Sequence, residues 1–246
     1  MIKNYVIVAV RNFIRNSTYS LINMLGLALG LTAFILIYFW VYNEVSFDRF
    51  HSHSSQLYRV VETQHYTKDD LRIALTPGPL GPNLKENFQE IQNVVRVNLK
   101  SPLLQYKELA FYEHGAITDP AFFEMFSFPV LIGNPKTCLS GINNIVISQN
   151  LAKKYFKGET AIGNVFKVNK LDFVVTGIFQ NTPENSQLQF DFVVPFESFR
   201  RYGFDIIDAW GLNLFYTYIQ LQAGTSPDEV NQKIRSNAEK YRIRSY

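Results

Sequence analysis

Apolar and polar residues divide this chain into a membrane-like beginning and a long mixed remainder. Residues 24–42 are almost all apolar, and no charged residue occurs between Arg15 and Glu44. Because an α-helix rises about 1.5 Å per residue, roughly 20 apolar residues cross a hydrocarbon layer of about 30 Å. Aromatic residues gather at the end of this run, as they do at membrane interfaces. The pattern predicts one transmembrane helix over residues 16–43.

A buried helix of a soluble core and a cleaved signal peptide are the alternatives for this run. A signal peptide has a shorter apolar region, about 7–15 residues, followed by a small-x-small cleavage site. Here the run leads directly into Tyr42, Asn43 and Glu44. We therefore interpret the run as an uncleaved anchor.

Charge predicts the orientation of the anchor. Lys3, Arg11 and Arg15 precede the apolar run and no acidic residue does, whereas residues 44–49 carry both signs. The positive-inside rule therefore predicts a cytoplasmic N-terminus and places residues 44–246 in the periplasm. The net charge of +3 equals these three residues, since the remaining 21 Lys and Arg balance 21 Asp and Glu. We therefore read the basic balance as a topology signal and predict no nucleic-acid partner.

Two shorter patterns refine the N-terminal part. Residues 1–15 have helical periodicity, with apolar and basic residues on opposite faces, and predict an amphipathic helix at the cytoplasmic interface. A basic lead-in without defined geometry is the alternative. Within the anchor, Gly26 and Gly30 form a G-x-x-x-G motif, which allows close contact between two membrane helices.

Strand and helix patterns alternate irregularly over residues 44–246, which predicts an α+β domain and not a doubly wound sheet. Asp119 is expected to cap a short helix that begins at Pro120, and residues 226–229 read as a helix-capping box. The predicted strands are 56–63, 94–99, 143–148, 165–169, 173–179, 188–194 and 215–221, with further helices near 80–88 and 150–156.

Composition supports a folded exported domain. Aromatic residues make up 15% of the chain, which is typical of a packed globule. Cys138 is the single cysteine, so an intrachain disulfide is excluded. A domain of about 200 residues is stable without one, so an oxidising periplasm remains compatible.

The sequence predicts no catalytic, cofactor or metal site. Residues 158–164 have the glycine spacing of a phosphate loop but lack its Lys and Ser/Thr, and they follow a predicted helix, so we interpret them as a turn. His51 and His53, with His65 and His114, lack the partners of a metal motif. We interpret these histidines as interfacial or solvated.

Several segments together resemble the MacB/FtsX-type ABC transporter permeases, especially their Bacteroidetes version. The resemblance starts with MIKNYVIVAVRNFIRNSTYSLINMLGLALGL and includes EVSFDRFH and LYRVV after the anchor. It continues through DPAFFEMFSFPVLIGNP, ISQNLAKKYFKGETAIGNVF and VVTGIFQNTPENSQLQFDF. It thus covers almost the whole chain.

The resemblance implies a MacB-like periplasmic core domain over residues 44–246, with a Sabre-like part inserted in a porter-like part. It implies a permease subunit without enzymatic activity, whose ATPase is a separate subunit in the inner membrane complex. The permease would convert ATP-driven closure into movement of periplasmic domains, in efflux, lipoprotein release or envelope signalling. The family's further membrane helices are missing from the sequence, so we expect a fragment or truncated product of a permease.

Partners follow from the same resemblance: a dimer with itself or a related permease, and a periplasmic protein. A stand-alone membrane-anchored sensor or binding module is the alternative function, and a membrane-tethered enzyme is a third. Further apolar spans encoded downstream would favour the permease.

The segment from Glu44 to His51 is where motion of the anchor would enter the domain. Phe47 and Phe50 are three residues apart and are expected on a continuing helical turn, packed against the domain base. Asp48 is expected to face solvent or lipid headgroups. A passive linker is the alternative.

Overall fold

The computed structural model describes residues 2–65, 70–203 and 205–242, and it divides into two units. The first comprises residues 1–47 and the second residues 48–246. Each unit is described by itself below.

The N-terminal unit consists of two helices, α1 (Ile2–Arg15) and α2 (Ser17–Ser46). Asn16 separates them, with backbone angles of φ −117° and ψ 48°. The predicted helix over residues 1–15 is therefore present, while its place at a membrane interface stays a prediction. Helix α2 is long and apolar enough to cross a membrane, and none of its residues is buried.

The globular unit is a mixed α/β domain, as predicted. Its helices are α3 (Leu80–Asn87), α4 (Phe122–Met125), α5 (Gln149–Phe156) and α6 (Pro227–Arg242), with 3₁₀ turns at Ser54–Gln56, Phe196–Tyr202 and Asp205–Asp208. Its strands are β1 (Leu57–Arg59), β2 (Glu62–His65), β3 (Asp70–Ile73), β4 (Leu75–Pro77), β5 (Ile91–Lys100), β6 (Leu103–Tyr106), β7 (Leu109–Tyr112), β8 (Gly115–Thr118), β9 (Val130–Ile132), β10 (Asn144–Ser148), β11 (Val165–Val168), β12 (Leu171–Phe179), β13 (Phe192–Pro195) and β14 (Asn213–Leu221).

Twelve of these strands form one sheet, in the order β1-β14-β5-β8-β13-β10-β12-β11-β6-β7, with β4 beside β14 and β9 beside β12. The pairs β10–β12 and β8–β13 are parallel, and the other pairs are antiparallel. Strands β2 and β3 form a separate hairpin. Because most neighbours are antiparallel, the sheet is not doubly wound.

Aromatic residues fill both faces of the sheet. Alternation along β5 places Val95 and Val97 on one face, in a core with Phe122 and Phe128. The opposite face carries a second core, which contains Phe166, Phe173, Phe192 and Phe215, all 1% exposed or less. A smaller core joins α3 and α6 to the end of β14. The division into porter-like and Sabre-like parts stays a prediction.

Two predicted strands differ from the structure. The strand over 56–63 breaks after Arg59, because β1 pairs with β14 whereas β2 pairs with β3. The strand over 188–194 begins only at Phe192. Leu188 and Phe190 are buried in alternation, as in a strand, but the side chain of Gln189 donates to the Pro183 and Ser186 carbonyls and stabilises a loop instead.

The predicted helix cap at Asp119 is wrong. Helix α4 begins at Phe122 after Ala121, without a side-chain cap. The Asp119 carboxylate instead accepts hydrogen bonds from the backbone and guanidinium of Arg96. A charged partner competes successfully with backbone amides for this carboxylate.

Candidate coupling site at the start of the globular domain

The chain leaves α2 by an abrupt change of backbone. The helix ends at Ser46, Phe47 is extended (φ −57°, ψ 132°), and Asp48 has a positive φ of 56°. The predicted helical turn through Phe47 and Phe50 is therefore wrong. Aspartate enters the left-handed region more readily than most residues, and one such residue stops a right-handed helix.

Asp48 begins the junction segment, residues 48–52, which is bonded to a loop between β12 and β13. The Asp48 amide donates to the Asn185 carbonyl at 2.9 Å. Its Oδ1 accepts from the Gln187 amide at 3.1 Å and from the Ser186 hydroxyl at 3.2 Å. The expectation that Asp48 faces solvent or lipid headgroups is therefore wrong, because its carboxylate is occupied by this loop.

A second set of bonds joins the junction segment to the loop after α4. The Ser127 amide donates to Nδ1 of His51 at 3.1 Å. In return, the Ser52 amide donates to the Ser127 hydroxyl at 2.9 Å, and the two serine hydroxyls lie 3.1 Å apart. The segment is thus held on two sides by loops that are distant in sequence.

Aromatic packing seats the junction segment on the core. The Phe50 ring lies 5.6 Å from the Phe128 ring, between centroids. The His51 ring lies 5.2 Å from both Phe126 and Phe128. Phe126 and Phe128 are themselves buried members of the core that contains Val97. A displacement of the segment would therefore disturb the core directly.

His51 is buried, with 5% of its surface exposed, so its interpretation as interfacial or solvated is wrong. Burial lowers the pKa of His51, and the nearby Asp48 carboxylate opposes this only in part. The neutral ring fits the geometry, because Nδ1 must be unprotonated to accept from the Ser127 amide. Sequence reasoning missed this residue; its one signal is the neighbouring Phe50 in a segment rich in aromatic residues.

The other predicted site residues lie in the N-terminal unit. Lys3, Arg11 and Arg15 are on α1, and Gly26 and Gly30 are on α2. A Cβ atom added at either glycine would meet no atom within 4 Å, so that stripe of α2 is open. Helix packing at these glycines stays a prediction.

A second polar cluster lies beside α5 and was not predicted. The buried Glu113 carboxylate accepts from Lys154 at 2.6 Å and from the Tyr155 hydroxyl at 2.9 Å. Burial, followed by the charge of Glu113, raises the pKa of Asp191. Across the described ranges, no group of three His, Cys, Asp or Glu side chains is placed to hold a metal ion.

An apolar helix of membrane-spanning length, followed by a mixed α/β domain with a bonded junction segment, fits a membrane-anchored protein. The family comparison identifies it further. Residues 20–237 match the family model of the MacB-like periplasmic core domain, and the chain belongs to this family. It is of the MacB/FtsX-like ABC permease type, whose members are not themselves enzymes and work with an ATPase in the membrane.

Solved structures share the fold. A domain described as part of a permease from Porphyromonas gingivalis is 19% identical, with a TM-score of 0.67 over 78% of this chain and 84% of its own. The periplasmic region of MacB from Actinobacillus actinomycetemcomitans is 13% identical, with a TM-score of 0.54 over 68% and 75%. The extracellular domain of the ABC-type transporter YknZ from Gram-positive bacteria is 18% identical, with a TM-score of 0.50 over 72% and 86%. Comparison with curated protein sequences gave no match.

Proposed function

We propose that this chain is the part of an ABC permease that transmits movement from the membrane to the periplasmic domain. ATP hydrolysis by a separate ATPase subunit drives the movement, and the globular domain delivers it in efflux, lipoprotein release or envelope signalling. The protein is anchored in the inner membrane, with its N-terminus in the cytoplasm and its globular domain in the periplasm. The permease works as a dimer, with itself or a related permease, and engages a periplasmic protein.

The observation that carries this proposal is the bonding of the junction segment. A passive linker would be solvated and free of specific partners. Here Asp48 and His51, the second and fifth residues after α2, bond to loops 138 and 76 positions away. Two attachments on different loops leave the segment little freedom to absorb a movement of the helix, so the movement is passed to the domain.

A flexible insertion tests this proposal. Four Gly and Ser residues inserted after Phe47 lengthen the path while leaving every bond of residues 48–52 in place. In lipid nanodiscs with the partner ATPase, we expect the ATP-dependent distance change between spin labels at L29C and L131C to disappear. ATP hydrolysis should continue at its normal rate. Leu29 and Leu131 are both exposed, and the native Cys138 is only 3% exposed, which limits its labelling.

The matched control places the same insertion at Gly224, an exposed turn between β14 and α6. This variant should keep the distance change, because it lies outside the proposed path. If the insertion after Phe47 also kept it, the junction would be passive and the proposed mechanism wrong.

A further inference from the structure

Strand β7 forms one edge of the large sheet, and its outer side carries unpaired backbone groups. In the described part of the chain it pairs with β6 alone. The Glu113 amide donates to the Pro102 carbonyl, and the Asn169 amide donates to the Leu103 carbonyl across the other side of β6. Hydrogen-bonding direction alternates along a strand, so the backbone groups of Leu109 and Phe111 bond to β6. The backbone groups of Ala110 and Tyr112 point to the opposite side, away from β6. Two amides and two carbonyls are thus presented outward.

This edge lacks the features that usually prevent strand pairing. Leu109–Tyr112 contains no charge, no proline and no bulge, and its Tyr112 and Phe111 side chains are 76% and 43% exposed. The opposite edge, β1, is only three residues long and ends in the exposed Arg59. The separate β2–β3 hairpin carries Glu62, Asp70 and Arg72. Natural edges are commonly protected by short length and by charge, whereas β7 carries no charge and is one residue longer than β1.

The edge is also held in a fixed position. The Lys154 ammonium lies 4.3 Å from the centre of the Phe111 ring, and Tyr155 meets the same ring edge-on at 6.0 Å. At the end of the strand, the buried Glu113 carboxylate is bonded to Lys154 and Tyr155. A strand that is already ordered loses little conformational entropy when it pairs.

The sequence of β7 is complementary to itself in one antiparallel register. With a two-fold axis through Phe111, Ala110 lies opposite Tyr112 of the second copy, and Tyr112 lies opposite its Ala110. All four outward groups of each strand are then used, which gives four hydrogen bonds across the axis. The large Tyr112 ring covers the small Ala110, and Glu108 lies opposite His114, so no like charges face each other.

We propose that β7 pairs with β7 of a second copy of this chain and joins the two sheets. This pairing rests on the dimer of the proposed function. It deepens that function by assigning the contact between the two periplasmic domains. A pair of four-residue strands is smaller than a standard interface of about 1,600 Å². The contact is therefore weak in solution and depends on the high local concentration of two copies held in one membrane complex.

Cysteine cross-linking in the full chain, reconstituted in lipid vesicles, tests the contact. F111C places two cysteines at the two-fold axis, where facing residues of a strand pair lie close enough for a disulfide. We expect a disulfide-linked homodimer under mild oxidation. The control L131C is similarly exposed, at 49% in the native residue, but lies on β9, and it should remain monomeric.

A second substitution distinguishes cross-linking through β7 pairing from cross-linking through chance collisions between copies. A110P removes an outward amide that β6 does not use, so β7 stays folded, and it should reduce F111C cross-linking about tenfold by deleting two hydrogen bonds across the axis. A110S keeps the amide and should cross-link normally. Unchanged melting temperature of A110P confirms the fold.

Four results would overturn the pairing: no cross-link with F111C, equal cross-linking with L131C, full cross-linking with A110P, or a cross-link only to a different protein. Lysine-reactive cross-linking separates the two levels of failure. If it still captures a dimer, the dimer stands and the β7 contact is wrong; if it captures none, the proposed dimer fails as well.

Discussion

Arg96 shows how one residue can connect three parts of the domain. Its guanidinium forms a two-point ion pair with Asp119, with distances of 2.6 and 2.9 Å, and donates to the Gly78 carbonyl at 2.9 Å. It also lies 3.5 Å above the Phe196 ring. The planar guanidinium can make all these contacts at once, which a lysine cannot. The loop before α3, strand β5 and the end of β8 are therefore held together by a single side chain.

Removing one member of this pair should be costly. Asp119→Ala leaves the buried Arg96 charge without its partner, so we expect a loss of about 3–5 kcal/mol in the free energy of unfolding, measured by chemical denaturation. The double variant Asp119→Ala with Arg96→Met should recover part of the loss, because no unpaired charge remains. Equal losses for the single and double variants would show that the charge is not the cause.

His51 makes the stability of the junction depend on pH. Burial lowers the pKa of His51 in the folded chain below its ordinary value of 6.5, so the unfolded chain takes up the proton first as the pH falls. The stabilisation by His51 is therefore complete above about pH 6.5 and decreases below it. Thermal unfolding of the wild type should show this decrease.

The substitution His51→Phe provides the comparison, because it keeps an aromatic ring but cannot titrate or accept from Ser127. The variant should be less stable at pH 8, and the difference from wild type should shrink toward pH 5. If the difference in stability between the two proteins stayed constant from pH 8 to pH 5, titration of His51 would not be the cause of the pH dependence. Titrating groups that do not interact with His51 are common to both proteins and cancel in this difference.

At the scale of elements, β8 and β13 approach closely because Gly115 has no side chain. A Cβ atom at Gly115 would lie 2.3 Å from the Phe192 ring, which is itself 1% exposed and fixed in the core. The two residues are partners in the parallel pairing of these strands. The glycine thus leaves the space that the phenylalanine fills.

Gly115→Ala should therefore destabilise the domain by about 1–3 kcal/mol, the usual cost of overpacking a core. Gly211→Ala is the matched control, since a Cβ there would meet nothing within 4 Å, and it should be nearly neutral. Urea denaturation followed by Trp fluorescence measures both. A neutral Gly115→Ala would mean that the Phe192 ring can move away without cost.

At the scale of the whole molecule, the two units differ in where their apolar residues lie. Helix α2 has no buried residue and no charge between Ser17 and Asn43, whereas the globular unit has buried cores on both faces of its sheet. Three basic residues on α1 stand immediately before the apolar helix. The proposed orientation of the entire protein in the membrane rests on these charges.

A reporter fused after the last residue tests this orientation. A periplasm-dependent reporter should be active and a cytoplasm-dependent one inactive. Replacing Lys3, Arg11 and Arg15 by Gln should produce a mixed population, whereas replacing Lys136, Lys167 and Lys170 in the globular domain should not. Activity of the cytoplasmic reporter in the wild type would contradict the proposed topology.

Local patterns in the sequence were sufficient for the elements whose cause is local. The apolar run predicted α2 because length and absence of charge alone allow a helix to cross a membrane. Periodicity also located α3, α5, β5 and β12 to within a few residues, since each buries one face or alternates along its length.

Tertiary structure decided whatever depends on partners that are distant in sequence. The Asp119 carboxylate accepts hydrogen bonds from Arg96, which lies 23 positions earlier, and does not cap the helix beside it. His51 is buried only because residues 126–128 fold over it, and Asp48 is bonded only because the loop of residues 185–187 reaches it. The sheet order likewise brings β14 beside β1 and β5. Periodicity reports which face of an element is buried, but the identity of the covering residues is set by the packing of the whole chain.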